Sequence, residues 1–106
     1  MESSNGSDRT DPDLLRVTRR RAGGLLEVAA AGELDISTVD RLALACADAG
    51  ATTVVLDLRG VTFIDGSGLR GLVRLHEALE GRLSVIPSPA CRRLFRLVDE
   101  IVTVPR

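Results

Sequence analysis

The sequence predicts an α/β domain with a mixed sheet of about five strands and about three helices, in the order β-β-α-β-α-β-α-β. Three observations predict this class. Short apolar segments alternate with segments whose apolar residues recur at helical spacing, and a two-glycine turn joins the first two apolar segments. The chain of 106 residues suffices for one domain and one core. We therefore expect a single domain over residues 14–106.

The N-terminal part of the chain is predicted to be a flexible tail followed by a β-hairpin. Residues 1–13 are polar and contain almost nothing that a core could bury. Residues 14–18 and 25–31 are apolar enough for two strands, and the segment RRRAGG between them suits a turn. Its arginines are either solvated turn residues, the interpretation we favour, or a small anion-binding patch.

A helix and an inner strand are predicted next. Residues 37–40 (STVD) have the pattern of an N-terminal capping box, and apolar residues then recur at helical spacing until Gly50. Residues 52–58 (TTVVLDL) are β-branched and almost continuously apolar. This pattern is typical of a strand in the middle of a sheet.

The second half of the chain repeats the alternation. Apolar residues from Leu69 onwards predict a second helix that ends at Gly81, and residues 83–86 form a short strand. Ser88 is a good N-cap for a third helix because a proline follows it at the first helical position. Residues 101–104 suit a last short strand. Helices between successive strands imply parallel strands joined by right-handed crossovers.

Composition excludes several classes of function. The 14 basic and 15 acidic residues give a net charge of −1 without a basic face, and Trp and Tyr are absent, so we expect no nucleic-acid partner. No apolar run approaches a membrane span and no signal peptide is present, so we expect a cytoplasmic protein without a membrane partner. Cys46 and Cys91 are interpreted as two buried thiols, and no metal or other cofactor is expected.

Polar side chains that could react or bind a partner follow the predicted parallel strands. The carboxyl ends of such strands meet at one edge of a sheet. If the topology is right, Asp35, Asp65, Ser67 and Ser88 become neighbours there. The stretch DGSGL at residues 65–69 is the most informative, because two glycines leave the serine hydroxyl accessible to another protein.

The residues alone leave alternatives open for this stretch. Ser67 could be an N-cap of the second helix and nothing more, and Asp35 is as easily a turn or cap residue as a functional one. A hydrolase is not expected, because the only candidate base, His76, lies two and a half turns along the same helix. Neither glycine-rich nucleotide-binding pattern is present, and the chain contains no lysine.

Taken together, several motifs resemble the STAS domains of anti-sigma factor antagonists. The similarity extends from about residue 14 to residue 104. The motifs that carry it are residues 32–35 (GELD), residues 54–58 (VVLDL) running into residues 61–69 (VTFIDGSGL), and residues 88–90 (SPA) with residues 93–95 (RLF).

The resemblance implies a regulatory protein without enzymatic activity. Its unphosphorylated form would bind an anti-sigma factor that is a serine kinase and release the sigma factor, and phosphorylation of Ser67 would switch binding off. A metal-dependent serine phosphatase would reset the switch. The residues expected to contact the partner are Asp35, Asp65, Gly66, Gly68, Leu69 and Ser88. We expect a monomer or a weak dimer.

A second hypothesis from a different class remains open. A STAS domain can also be a subunit of an ABC-type lipid transport complex, where it binds an ATPase as a constitutive assembly factor. The intact DGSG motif at residues 65–68 favours the first hypothesis.

Overall fold

The computed structural model describes residues 14–98, which form four strands and three helices. The order within these residues is the predicted one. The elements are β1 (Leu15–Ala22), β2 (Leu25–Leu34), α1 (Val39–Ala45), β3 (Thr53–Ile64), α2 (Gly66–Ala78), β4 (Leu83–Ile86) and α3 (Pro89–Phe95). The predicted N-terminal tail at residues 1–13 and the predicted fifth strand at residues 101–104 lie outside the described residues.

The strands form one mixed sheet in the order β1-β2-β3-β4. β1 and β2 are antiparallel and form the predicted hairpin, whose turn uses Gly23 at a φ of 59°. β2 pairs with β3 in parallel, and β3 pairs with β4 in parallel. α1 and α2 connect these parallel pairs, as the alternating sequence pattern predicted.

Three strands are longer than the sequence pattern suggested, and one of them is β2, which continues to Leu34. β1 continues through the three arginines to Ala22, so the arginines belong to the strand and not to the turn. Arg20 pairs with Glu27 across the hairpin at 2.6 Å, and Arg21 pairs with Asp48 at 2.8 Å. Because these carboxylates already hold the guanidinium groups, the hypothesis of an anion-binding patch loses its basis. Similarly, β3 extends to Ile64 and leads directly into the DGSG motif.

The core is aliphatic, as predicted from the composition. Burial alternates along the inner strands, so that Leu26 and Val28 are buried while Glu27 between them is partly exposed. Phe95 is the only aromatic residue of the core within the described part of the chain, and Phe63 is 48% exposed. The largest fully buried side chains are Leu15, Leu26, Leu34, Leu42, Leu56, Leu58, Leu72, Leu83, Val28, Val54, Val61 and Val85.

The predicted capping box at the start of α1 is wrong. Thr38 occupies the N-cap position, but its side chain makes no cap hydrogen bond. Instead, the Thr38 hydroxyl donates to the carbonyl oxygen of Glu33 at 2.8 Å and accepts from the N–H of Asp35 at 3.0 Å. These two hydrogen bonds of the Thr38 hydroxyl stabilise the loop that connects β2 to α1. α1 also ends earlier than predicted, at Ala45 and not near Gly50. Nε of Arg19 donates to the carbonyl oxygen of Ala45 at 2.9 Å, which satisfies one of the free carbonyl groups at the end of the helix.

The start of α3 matches the prediction. Ser88 is the N-cap, its hydroxyl accepts from the N–H of Cys91 at 3.2 Å, and Pro89 follows at the first helical position. Cys91 and Cys46 are both buried free thiols, as predicted. Burial raises the pKa of Cys46 to about 12 and also raises the pKa of Cys91.

Candidate functional site

The carboxyl ends of β2 and β3 lie side by side. Leu34 and Ile64, the last residues of the two strands, are register partners. The N–H of Asp65 donates to the carbonyl oxygen of Leu34 at 3.4 Å. Asp35 and Asp65 each follow directly after this pair, so the structure brings together the two loops that carry them.

Asp65 is the residue that caps α2. One of its carboxylate oxygens accepts from the N–H of Gly68 at 2.9 Å. Ser67 is the second residue of the helix, so the interpretation of Ser67 as the N-cap is wrong. Because the Asp65 carboxylate accepts from the N–H of Gly68, the Ser67 hydroxyl does not serve as the cap of α2.

The Ser67 side chain is half-buried and has one hydrogen-bond partner within the described residues, Nη2 of Arg70 at 3.2 Å. Its neighbour Gly66 is exposed, and a Cβ atom added there would meet only the Arg70 guanidinium, at 3.6 Å. The absence of a side chain at this position keeps one flank of the Ser67 hydroxyl open to an approaching molecule.

The other two residues of the motif are buried. A Cβ atom at Gly68 would lie 2.4 Å from the carbonyl oxygen of Leu34, so only glycine allows α2 to approach the end of β2 this closely. Leu69 is 8% exposed and belongs to the core. Gly68 and Leu69 therefore seat the helix on the sheet, and their predicted contact with a partner remains a prediction.

Asp35 is held in a turn by the residues that follow it. Its Oδ1 accepts from the N–H of Ser37 at 2.9 Å and from the Ser37 hydroxyl at 2.7 Å. These hydrogen bonds, led by the one from the Ser37 hydroxyl and helped by Thr38, lower the pKa of Asp35 against the opposing effect of its partial burial. A negative charge therefore lies beside the start of α2 at neutral pH.

Ser88 does not join this group. β4 ends with Ile86, which is the register partner of Asp57, and β3 continues beyond that point to Ile64. The continuation corresponds to roughly 20 Å of strand. Ser88 is also 1% exposed, and its hydroxyl is engaged in the cap of α3. The expectation that Ser88 lies beside Asp35, Asp65 and Ser67 is wrong because β3 is longer than predicted.

A groove of about 580 Å³ runs between α1 and α2 and begins at Ser67. Gly71 allows the helices to approach, since a Cβ atom there would lie 2.3 Å from Val39. Ile36, 73% exposed, stands at the same end of the groove as Ser67 and was missed at the level of sequence. The sequence feature that could have identified Ile36 is its position as the one apolar residue in the polar turn at residues 35–38 (DIST). The remaining lining includes Asp40, Ala43, Cys46, Ala47, Arg70, Arg74, Leu75, Ala78 and Leu79.

Metal-binding side chains and His76 are the remaining candidates for chemistry among the described residues. No group of three or more metal-binding side chains occurs within residues 14–98. Nε2 of His76 is buried and makes no hydrogen bond in this part of the chain. His76 lies nine residues beyond Ser67 on α2, which corresponds to about 13 Å of helix rise. No helix among these residues has the length and apolar character required to cross a membrane.

Comparisons with known proteins agree with this geometry. The family model described as "Mlab, STAS domain" matches residues 17–100. An anti-sigma factor antagonist from Mycobacterium paratuberculosis is 30% identical with a TM-score of 0.69, and the match covers 81% of this chain and 79% of that one.

Two structures of SpoIIAA from Bacillus, an anti-sigma factor antagonist, share the fold. The unphosphorylated form is 23% identical with a TM-score of 0.64, and the match covers 85% of this chain and 87% of that one. The phosphorylated form is 22% identical with the same TM-score of 0.64, covering 85% and 90%. No curated protein sequence matches the chain.

Proposed function

Because the chain belongs to the STAS-domain family, we propose that it is a cytoplasmic anti-sigma factor antagonist controlled by phosphorylation of Ser67. The unphosphorylated protein binds an anti-sigma factor that is a serine kinase, and the sigma factor is released. The kinase ends this binding by phosphorylating Ser67, and a serine phosphatase restores the binding form.

The observation that carries the proposal is the placement of the Ser67 hydroxyl. It lies at the mouth of the groove between α1 and α2, with exposed Gly66 on one flank and exposed Ile36 beside the same opening. The Asp65 carboxylate caps the helix, so the Ser67 hydroxyl is left available to accept a phosphoryl group.

Charge explains why phosphorylation would end binding. A phosphate adds about −1.5 to −2 charges at neutral pH. The site already carries the negative charge of Asp35, and the carboxylate of Asp65 caps the same helix. A phosphate on Ser67 would be repelled by these carboxylates, and its bulk would fill space that the partner needs beside a neutral hydroxyl. The start of a helix tolerates an anion, so we expect the fold to stay unchanged.

The proposed role requires no catalysis by this chain. The kinase transfers the γ-phosphoryl group of ATP to Oγ of Ser67, the hydroxyl proton passes to a base of the kinase, and ADP leaves. The phosphatase hydrolyses the same ester to serine and inorganic phosphate. Within this chain, the residues around Ser67 present and orient the acceptor.

The decisive experiment mixes the full chain and ATP with an anti-sigma factor kinase from the same organism, and maps phosphate by peptide mass spectrometry. Ser67→Ala is the test variant, and Ser84→Ala is the control because Ser84 is a half-buried serine of β4 that has no contact with the loops carrying Asp35 and Asp65 in the hydrogen bonds of the described residues. We expect phosphate on Ser67 in the wild type and in Ser84→Ala, none in Ser67→Ala, and at least a tenfold loss of kinase affinity after phosphorylation.

Two other outcomes would overturn the proposal in different ways. Stable kinase binding without modification of Ser67 would make the protein a constitutive antagonist. Absence of kinase binding, together with capture of an ABC-type ATPase, would favour the assembly subunit of a lipid transport complex.

A further inference from the structure

Arg70 differs from four arginines of the sheet strands in its hydrogen-bond partner. Arg19, Arg20, Arg21 and Arg59 each form an ion pair with an aspartate or a glutamate. Arg70 is exposed, and among residues 14–98 its guanidinium has only the neutral hydroxyl of Ser67 as a hydrogen-bond partner. A cation is therefore held against the candidate acceptor with its charge uncompensated.

The helical spacing fixes this arrangement. Arg70 follows Ser67 by three residues within α2, and side chains at this spacing lie on the same face of a helix. Nη2 of Arg70 is 3.2 Å from Oγ of Ser67. A phosphate on Oγ would place its oxygens within reach of the same guanidinium, whose planar donors can bind two phosphate oxygens at once.

We propose that Arg70 is the residue that holds the phosphate of phosphorylated Ser67, an inference that rests on the proposed function for the identity of the acceptor. The phosphate binds the guanidinium intramolecularly. Arg70 also lines the groove between α1 and α2, so this bond withdraws a cation from the surface offered to the partner. Phosphorylation then changes the surface in two ways, because it adds a negatively charged phosphate and pairs the Arg70 guanidinium with that phosphate.

The test measures the phosphate directly and needs no kinase. Phosphoserine is incorporated at position 67 during translation of the full chain, and the phosphate is titrated by ³¹P NMR in the wild type, Arg70→Gln and Arg70→Lys. Arg74→Gln is the matched control, because Arg74 is an exposed arginine one turn further along α2 that also lines the groove. Circular dichroism verifies that each variant is folded.

We expect the second pKa of the phosphate to be lower in the wild type than in Arg70→Gln by about 0.3–0.7 units, because an exposed ion pair favours the dianion to that extent. Arg70→Lys retains the charge and should recover part of the difference, and Arg74→Gln should titrate like the wild type. Salt at about 1 M should reduce the difference, since screening weakens exposed pairs.

Equal phosphate pKa values in the wild type and Arg70→Gln would overturn the inference. A shift of the same size in Arg74→Gln would overturn it too, because the effect would then belong to the general charge of the helix. Because the phosphoserine is introduced during translation, a kinase that does not phosphorylate Ser67 would refute the proposed function and leave this titration valid. Equal phosphate pKa values would refute the role of Arg70 and leave the proposed function standing.

Discussion

The two glycines that flank Ser67 should respond in opposite ways to the same substitution. In Gly68→Ala, the new Cβ atom would lie 2.4 Å from the carbonyl oxygen of Leu34 and 3.1 Å from Cγ1 of Ile64. The first neighbour is backbone of a strand inside the sheet, so no rotamer change can relieve the contact. Either the start of α2 or the end of β2 must move away.

The magnitude follows from two opposing terms. Overpacking of this kind costs about 1–3 kcal/mol, and a backbone obstacle places this site in the upper part of that range. Alanine recovers about 1 kcal/mol through its higher helix propensity. We therefore expect Gly68→Ala to lower the free energy of unfolding by about 1–2 kcal/mol. Gly66→Ala meets only the tip of Arg70 at 3.6 Å and should raise it by about 0.5 kcal/mol.

Urea denaturation of the full chain, followed by circular dichroism, measures both effects. With a slope of about 1–2 kcal/mol per molar urea, the midpoint of Gly68→Ala should fall by about 1 M, and that of Gly66→Ala should stay or rise slightly. A Gly68→Ala protein as stable as the wild type would refute the reasoning. So would an equal loss in both variants, because the close approach of α2 to Leu34 would then not distinguish the two positions.

Three further predictions concern the surroundings of the site. Ser37→Ala removes the main hydrogen bond that lowers the pKa of Asp35, so NMR titration should find this pKa closer to 3.8. The wild type should be more stable than this variant by about 0.5–1 kcal/mol at neutral pH. This difference in stability should vanish as the pH falls through the pKa of Asp35 in the folded protein, because a carboxyl group with a lowered pKa stabilises the fold only while it is ionised. An Asp35 pKa that is the same in both proteins would contradict this prediction. Cys46, with a pKa of about 12, should resist iodoacetamide in the native protein and react readily after unfolding, and rapid native labelling would show that the thiol is not buried. Ile36→Ala should weaken kinase binding about tenfold and leave stability within about 0.5 kcal/mol, as measured by calorimetry. Leu44→Ala, at 75% exposure outside the groove, is its control, and equal losses in the two variants would exclude the groove as the docking surface.

The agreement between sequence and structure is best where local chemistry decides. The hairpin turn depends on two glycines, and the start of α3 depends on a serine followed by a proline, so both were predicted at their residues. The capping box of α1 failed because the Thr38 hydroxyl bonds to Glu33 in the preceding loop, a competing partner that residue spacing does not reveal. β3 extended further because parallel pairing with β2 continues to Ile64.

The sequence by itself determined the order of the elements, the aliphatic core and Ser67 as the residue to consider, because periodicity, turn residues and a short motif are local properties. Only the tertiary structure separated Gly66, which is open, from Gly68, which touches a strand carbonyl. It also showed that Ser88 is buried at the cap of α3, and that exposed Ile36 lines the same groove as Ser67. These distinctions depend on contacts between elements that are about thirty residues apart in the chain. The distances between the contacting atoms are set by the register of the strands and by the position of the helices on the sheet, which are properties of the whole packed domain.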